Sequence, residues 1–246
     1  MLSSEGSVRI LCCALQTYYP NAVHAFFCGS AAHGQYRPYS DLDVIVTARM
    51  DHIYERRCVM FEGYPIDFQV LSLRLFDQIV RDARSNAVGH ALQSLANGHI
   101  IVDADGNAAT IQRKMAEIYA AGPSPPAPMA IKMLKMFVCE AVIDLATLTD
   151  RNELIATGLS MFEPLAKLDC AKKAGWLSVG KHYPRELRRI DPDGFDPIAS
   201  AYAELLDGRP DNLIAFAMSV VDAWGGLDWE RHVVKVPARR PVKPPF

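Results

Sequence analysis

The chain has 246 residues, half of them hydrophobic and 22% charged, which is typical of a globular protein with one large core or two smaller ones. Its formal net charge is -2, from 26 basic and 28 acidic side chains. Proteins that bind long DNA or RNA usually carry a basic excess, because neutralising phosphates supplies much of that affinity. The charge balance therefore argues against long nucleic acid and favours a small molecule or a protein as partner.

The cysteines and the N-terminus indicate the compartment. Six cysteines are present and none forms a Cys-x-x-Cys pair, so we expect reduced thiols in a cytoplasmic protein and no zinc site. The N-terminus lacks a basic stretch followed by an apolar run, so no signal peptide is expected. No apolar stretch reaches the roughly 18 residues of a membrane span, so no membrane partner is expected either.

Helices and strands alternate through the first half of the chain. In order, the spacing of apolar residues predicts a helix over 3–18, strands over 22–28 and 41–47, a hairpin of 53–62 and 65–71, helices over 73–83 and 87–96, a strand over 99–103 and a helix over 107–121. Gly63-Tyr64 is expected to join the hairpin, Ser72 to cap the next helix, and Gly98 to end the one after. Residues 1–121 are thus predicted to form a small mixed β-sheet domain.

The second half is predicted to be helical. A proline-rich linker over 122–128 precedes it. Helical patterns follow over 129–149, 152–174 with an interruption at Pro164, 185–190, 197–207 and 211–224, giving a helical domain over 129–229. Residues 230–246 are basic and proline-rich and are expected to be extended or disordered. The predicted fold class is α+β, a small mixed sheet with flanking helices followed by a helical bundle.

Two acidic residues open the strand over 41–47, in the sequence Ser-Asp-Leu-Asp. Side chains alternate along a strand, so Asp41 and Asp43 share one face while Leu42 points to the other. Like charges at this spacing repel, so a cation is expected between them, and carboxylate oxygens suit Mg²⁺ or Mn²⁺. Asp67, flanked by apolar residues on a later strand, offers a third carboxylate for a site with two metal ions.

The strand over 22–28 ends in Gly29-Ser30, ten residues before the acidic strand. Glycine lets the backbone approach a phosphate closely, and the Ser30 hydroxyl and nearby amides can donate to phosphate oxygens. Donors to phosphate beside a cluster of metal-binding carboxylates are what nucleoside triphosphate chemistry requires.

This pattern of Gly-Ser, Asp-x-Asp and a later Asp resembles the DNA polymerase β-like nucleotidyltransferase superfamily over about residues 20–105. The resemblance implies that Asp41 and Asp43 bind both metal ions and that Asp67 completes the first site. It also implies that Gly29 and Ser30 hold the triphosphate, with Ser40 assigned to nucleotide binding as well. The implied cofactors are two Mg²⁺ or Mn²⁺ ions, with an NTP, expected to be ATP, as co-substrate.

The helical half is similar to the small-molecule branch typified by kanamycin nucleotidyltransferase. In that branch a helical domain closes over the nucleotide and supplies an acidic general base. Glu140 and Asp144 are the candidates, because they lie four residues apart on one helix and share a face. Lys181 resembles a position that contacts phosphate. A solvated helix face and a plain surface lysine are the competing interpretations.

The favoured function is transfer of a nucleoside monophosphate from an NTP to a hydroxyl of a small acceptor, such as an aminoglycoside-like compound, with release of pyrophosphate. Either Asp67 or a helical acid would deprotonate the acceptor. One alternative keeps the chemistry and modifies a protein or tRNA, as in toxin–antitoxin systems. Another is a non-catalytic nucleotide-binding regulator, although such a protein needs no third carboxylate. Whether the chain forms a homodimer is left open.

Overall fold

The computed structural model describes residues 4–35, 40–52, 54–177 and 182–226. The chain divides into two compact units, Met1–Ser124 and Pro125–Phe246. The described part of the first unit holds a mixed sheet with helices, and that of the second unit is helical. The predicted α+β fold class is therefore confirmed.

Every element predicted for the first unit is present, with ends shifted by a few residues. The strands are β1 (His24–Cys28), β2 (Leu42–Ala48), β3 (Tyr54–Phe61), β4 (Tyr64–Ser72) and β5 (His99–Asp103). The helices are α1 (Ser4–Tyr18), α2 (Gly29–Ala32), α3 (Phe76–Ser85), α4 (His90–Asn97) and α5 (Ala108–Ala121). Gly98 follows the last residue of α4, as expected.

The five strands form one sheet in the order β3-β4-β2-β1-β5. The pairing of β2 with β4 is parallel and the other three pairings are antiparallel. Alternation along β2 sends Leu42, Val44 and Val46 into a core that they share with Leu11 and Leu15 of α1. The residues between them, including Asp43, face the opposite side of the sheet.

The turn of the hairpin differs from the prediction. β3 ends at Phe61 and β4 begins at Tyr64, so Glu62 and Gly63 form the turn instead of Gly63-Tyr64. Glu62 has φ 49° and Gly63 has φ 81°. A two-residue turn with positive φ at both positions matches the right-handed twist of the strands, and this twist favours the observed register.

The prediction that Ser72 caps a helix is wrong. Ser72 is the last residue of β4, and its hydroxyl donates to the Met50 carbonyl oxygen at 3.0 Å. α3 begins only at Phe76, and Leu75 precedes it without a side-chain cap. Strand pairing with β2 extends as far as Ser72, and this pairing overrides the local capping preference.

The second unit consists of helices in its described part. These are α6 (Pro128–Thr147), α7 (Arg151–Lys172), α8 (Tyr183–Ile190), α9 (Phe195–Leu206) and α10 (Asp211–Ala223), with a short 3-10 helix, Pro192–Gly194, before α9. Their buried residues form one main core, which includes Val138, Leu165 and Leu205. The division of roles proposed for the two halves of the chain stays a prediction.

The predicted interruption at Pro164 is wrong, because α7 runs unbroken from Arg151 to Lys172 with Pro164 inside it. A proline removes one backbone donor and disfavours a helix interior by about 3 kcal/mol. Met161 and Leu165, on either side of it, are 2% and 1% exposed. Burial of both flanking turns against the core offsets the local cost of the proline.

The buried acids of this unit have partners. Asp169 is 4% exposed, accepts a hydrogen bond from the Tyr183 hydroxyl at 3.2 Å and pairs with Lys173 Nζ at 2.7 Å. Glu186, also 4% exposed, accepts from Arg189 Nε at 2.9 Å. Such satisfied pairs are expected of acids that serve the structure, because an unpaired buried charge is costly.

Among the described helices, none combines the length and the apolar character needed to cross a membrane. The predicted extended tail over 230–246 lies outside the described residues.

Candidate metal centre

One row of side chains runs across four strands of the sheet. The register pairs Cys58 with Asp67, Asp67 with Asp43, and Asp43 with Cys28. Cross-strand partners in register lie side by side on the same face. The parallel pairing of β2 with β4 thus places two carboxylates next to each other, with a thiol on each side.

Asp41 joins these two carboxylates from the residue just before β2. One carboxylate oxygen of each of Asp41, Asp43 and Asp67 lies within 4.8 Å of the others. Asp41 is exposed, Asp43 is half-buried and Asp67 is buried. The three residues that the sequence selects as metal ligands are therefore brought together in the fold, and their role as ligands stays a prediction.

Gly29 is required where it lies for two reasons. Its φ of 73° is one that residues with a side chain rarely adopt. A Cβ atom added there would fall 1.9 Å from Asp43 Oδ2 and 2.8 Å from Asp43 Cγ. The backbone at the start of α2 therefore lies against the Asp43 carboxylate, and no side chain fits between them.

The Arg56 side chain is bound to Asp67. Its Nε donates to Asp67 Oδ1 at 3.0 Å and to Oδ2 at 3.1 Å, and its Nη2 donates to Oδ2 at 2.8 Å. The side chain of Asp67 is 4% exposed, whereas that of Arg56 is 59% exposed. The Arg56 guanidinium therefore bonds to both oxygens of the most buried acid. It offsets part of the repulsion between the carboxylates for which the sequence predicts a cation.

The two thiols of this row are kept protonated. Burial, and to a smaller extent the negative charge of Asp43, raise the pKa of the Cys28 thiol to about 12. Desolvation, followed by the charge of Asp67, raises the pKa of the Cys58 thiol. Neutral thiols are poor nucleophiles, so neither cysteine suits covalent catalysis.

A cavity of about 260 Å³ opens beside two of the acids. Its lining is Asp41, Asp67 and residues of the hairpin, namely Cys58, Val59, Met60, Pro65 and Ile66. A lining with both carboxylates and apolar groups can give a small ligand a charged anchor and an apolar contact.

The residues expected to hold the nucleotide are in part beside the acids. Ser30 is exposed and follows Gly29 in α2, and Ser40 is half-buried and precedes Asp41. Their contact with phosphate stays a prediction. Lys181 lies outside the described residues.

The candidate general bases of the helical half share a face, as expected. Glu140 and Asp144 are both exposed on α6. Exposure is compatible with a solvated helix face and with a catalytic acid that meets substrate. Their catalytic role stays a prediction.

Sequence reasoning missed Arg56 and Cys58, although the hairpin carries a signal for both. Counting outward from the Glu62-Gly63 turn pairs Phe61 with Tyr64 and, three residues further, Cys58 with Asp67. Arg56 lies two residues from Cys58 and so shares its face. With the correct turn, the alternation along β3 would have placed both next to the third acid.

A second cluster that the sequence did not reveal lies at the other end of β1. His24 is 1% exposed, and its Nε2 lies 2.7 Å from Asp105 Oδ1 and 3.8 Å from Asp103 Oδ1. Its Nδ1 lies 2.7 Å from the Thr47 hydroxyl. The hydrogen bond with His24 is the largest cause of the lowered pKa of Asp105.

The donor set of the first cluster fits divalent metal ions. Three hard carboxylates, two on paired strands and one just before β2, suit Mg²⁺ or Mn²⁺. The Arg56 guanidinium on Asp67 shows that the site accommodates positive charge. Asp41, Asp43 and Asp67 are therefore the residues that would hold such ions.

Comparison with known proteins adds little to this arrangement. No protein-family model matches the chain, and no curated protein matches it. Among solved structures, a nucleotidyltransferase-like protein from Exiguobacterium sibiricum 255-15 aligns over 89% of this chain and 77% of that one, at 12% identity and a TM-score of 0.46. Similarity at this level establishes neither family nor activity.

Proposed function

We propose that the protein is a metal-dependent nucleotidyltransferase that moves a nucleoside monophosphate from an NTP to a hydroxyl of a small acceptor and releases pyrophosphate. The observation that carries the proposal is the convergence of Asp41, Asp43 and Asp67 to within 4.8 Å of one another. Acids so close repel, and a bound divalent cation would relieve that repulsion.

The position of Gly29 supports a phosphate as the ligand beside these acids. The chain reverses direction between β1 and β2 with Gly29 against Asp43, so backbone and carboxylate share one small region. Backbone amides can approach phosphate oxygens closely where no Cβ intervenes. A metal-bound triphosphate needs both kinds of group at once.

Divalent ions held by the three acids would polarise the transferred phosphoryl group and lower the pKa of the acceptor hydroxyl. The remaining catalytic work falls to side chains of this chain. Asp41 and Asp43 would fix the position of the metal ions. The cavity beside Asp67 would offer apolar contacts to the acceptor. A base then removes the acceptor proton while pyrophosphate leaves on the opposite side of the phosphorus.

The direct test is transfer of label. The full chain is incubated with Mg²⁺ and each α-³²P-labelled NTP, against panels of aminoglycoside-like and other hydroxylated small molecules, bulk tRNA and proteins. Label on a small molecule, lost in Asp43→Asn, is the expected result. Label on tRNA or protein keeps the chemistry and changes the acceptor. Binding of NTP without transfer to any acceptor or to water would contradict an enzyme and favour a regulator.

The base is tested separately, once an acceptor is known. Removing a general base typically costs ~10²–10⁴-fold in rate. We expect Glu140→Gln or Asp144→Asn to lower turnover by such a factor while NTP affinity stays unchanged. Asp150→Asn serves as a control, because that acid caps the start of α7 through the amides of Asn152 and Glu153. Unchanged turnover in both α6 variants would leave Asp67 as the proton acceptor.

A further inference from the structure

The contact between Arg56 and Asp67 has a consequence for metal binding that follows from the geometry. Both oxygens of Asp67 accept hydrogen bonds from Arg56, at distances between 2.8 and 3.1 Å. A carboxylate offers its lone pairs either to a guanidinium or to a metal ion in the same directions. A metal ion that coordinates Asp67 must therefore replace at least part of this pair.

We propose that Arg56 is a resident counter-ion that competes with divalent metal for Asp67 and so lowers the metal affinity of the nucleotide-free site. This inference rests on the proposed function, because it takes the three acids as the metal ligands. Arg56 acts through Asp67 and is therefore a positioning residue. It keeps a buried carboxylate neutralised until a stronger cation arrives.

The surroundings of Arg56 allow it to be displaced. It lies on β3, an edge strand of the sheet, and its side chain is 59% exposed. The guanidinium can thus move into solvent without disturbing the core. Asp67, 3% exposed, cannot follow it, because its backbone is paired with β2 on one side and β3 on the other.

Charge provides the driving force for the exchange. A divalent ion is attracted by three acids within 4.8 Å of one another, whereas Arg56 bonds to one of them. A guanidinium and a metal ion on the same carboxylate repel each other strongly at such short range. Loading of the metal therefore releases Arg56, and removal of Arg56 makes loading easier.

The neighbouring Arg57 provides a matched control. It has the same charge, lies on the same strand and is 46% exposed, but it points to the other face and pairs with Glu55. It also lies over the rings of Tyr18 and Tyr19, at 5.8 and 5.5 Å from their centroids. Its removal changes the net charge equally without touching Asp67.

The experiment is a titration of the nucleotide-free full chain with Mn²⁺, followed by the EPR signal of the free ion. We expect Arg56→Ala to bind Mn²⁺ about tenfold more tightly than the wild type, the factor that corresponds to ~1.4 kcal/mol. Arg57→Ala should match the wild type. Arg56→Lys, which keeps the charge but loses the bidentate geometry, should fall between the wild type and Arg56→Ala.

Folding is checked by thermal melts, and Arg56→Gln replaces Arg56→Ala if the latter is unfolded, since it keeps a polar side chain while removing the charge. Equal or weaker Mn²⁺ affinity in the folded Arg56 variant, or an equal gain in Arg57→Ala, would overturn the inference. Asp43→Asn separates the two proposals. If it loses Mn²⁺ while Arg56→Ala equals the wild type, only the role of Arg56 fails. If it binds Mn²⁺ as the wild type does, or if no variant binds Mn²⁺, the proposed function fails.

Discussion

Among the described residues, two clusters of metal-ligand type lie at opposite ends of β1, and the partners of their acids differ. Asp41, Asp43 and Asp67 meet near Cys28, while Asp103 and Asp105 meet His24; in each cluster the ligand atoms lie within 4.8 Å of one another. The residue types and the distances between their ligand atoms do not distinguish the two clusters as candidate metal sites.

The partners of the acids distinguish them. In the His24 cluster, Asp103 accepts from the Ala108 amide at 3.2 Å and Asp105 from the Asn107 amide at 3.1 Å, at the start of α5. A helix start leaves amides without intrahelical partners, and these acids satisfy them. His24 has a partner on each ring nitrogen. This cluster is explained by its role in joining β5 to α5.

In the other cluster, Asp67 pairs with Arg56, and the three acids converge from two separate segments of the chain. Asp43 and Asp67 lie side by side on paired strands, where like charges destabilise the sheet. Residues that oppose folding and are nevertheless held rigidly are expected at functional sites. We therefore predict that the acids of the His24 cluster serve the structure and that Asp41, Asp43 and Asp67 bind a cation.

The largest expected effect separates the clusters by activity. Asp43→Asn should lower transfer by ~10³-fold or more, because metal ions contribute several kcal/mol of transition-state stabilisation. Asp103→Asn, which keeps an acceptor for the Ala108 amide, should leave the rate within a fewfold of the wild type. The measurement is the labelled-transfer assay at saturating NTP. Comparable losses in both variants would remove the distinction.

The next effect concerns ligand binding. Mg²⁺ and NTP at 100 times the dissociation constant should stabilise the wild-type fold by ~2.7 kcal/mol. Asp41→Asn and Asp43→Asn should lose this gain without becoming less stable alone, because each removes a repelling charge. Asp105→Asn should keep it. Thermal melts with and without ligand measure all four proteins, and a retained gain in Asp43→Asn would contradict the site.

The third effect tests the contact between Gly29 and Asp43. Gly29→Ala forces a Cβ to within 1.9 Å of Asp43 Oδ2, and overpacking of this kind typically costs ~1–3 kcal/mol. Gly34→Ala is the control, because Gly34 has φ 71° against 73° at Gly29 but a Cβ there meets nothing within 4 Å. Both variants place alanine at a positive φ, which destabilises each of them similarly. The difference between their unfolding free energies therefore reports the clash of the added Cβ at position 29 with Asp43. Equal melting temperatures would disprove the close contact.

The smallest effect is a pH dependence in the His24 cluster. Hydrogen bonding to His24 lowers the pKa of Asp105 from its ordinary range. A lowered folded-state pKa adds stability above the unfolded pKa, about 4, and this stability is lost as the pH falls through the lower folded value.

Asp105→Asn cannot titrate, so its melting temperature should fall less than that of the wild type between about pH 5 and pH 3. Asp51→Asn is the control, because it removes an exposed acid that pairs with Arg74 at the surface, and its pH profile should match that of the wild type. Identical pH profiles for Asp105→Asn and the wild type would show that His24 does not stabilise the ionised Asp105.

The sequence by itself determined the features that depend on local spacing. The two-residue step from Asp41 to Asp43 fixes their common face, because side chains alternate along any strand. The apolar setting of Asp67 marks it as a costly acid. Gly29 marks a close approach of the backbone, and helical periodicity predicts the longer helices of both units, although neither the short α2 nor the continuity of α7 through Pro164.

Only the tertiary structure decided which distant residues meet. The parallel pairing that sets Asp67 beside Asp43, the turn that brings Arg56 to Asp67, and the approach of Asp105 to His24 are all long-range choices of register. A shift of one residue in any of them would turn the side chains to the opposite face of the sheet. Register depends on the packing of the whole core and on turn geometry, and neither can be read from the residues of a single strand.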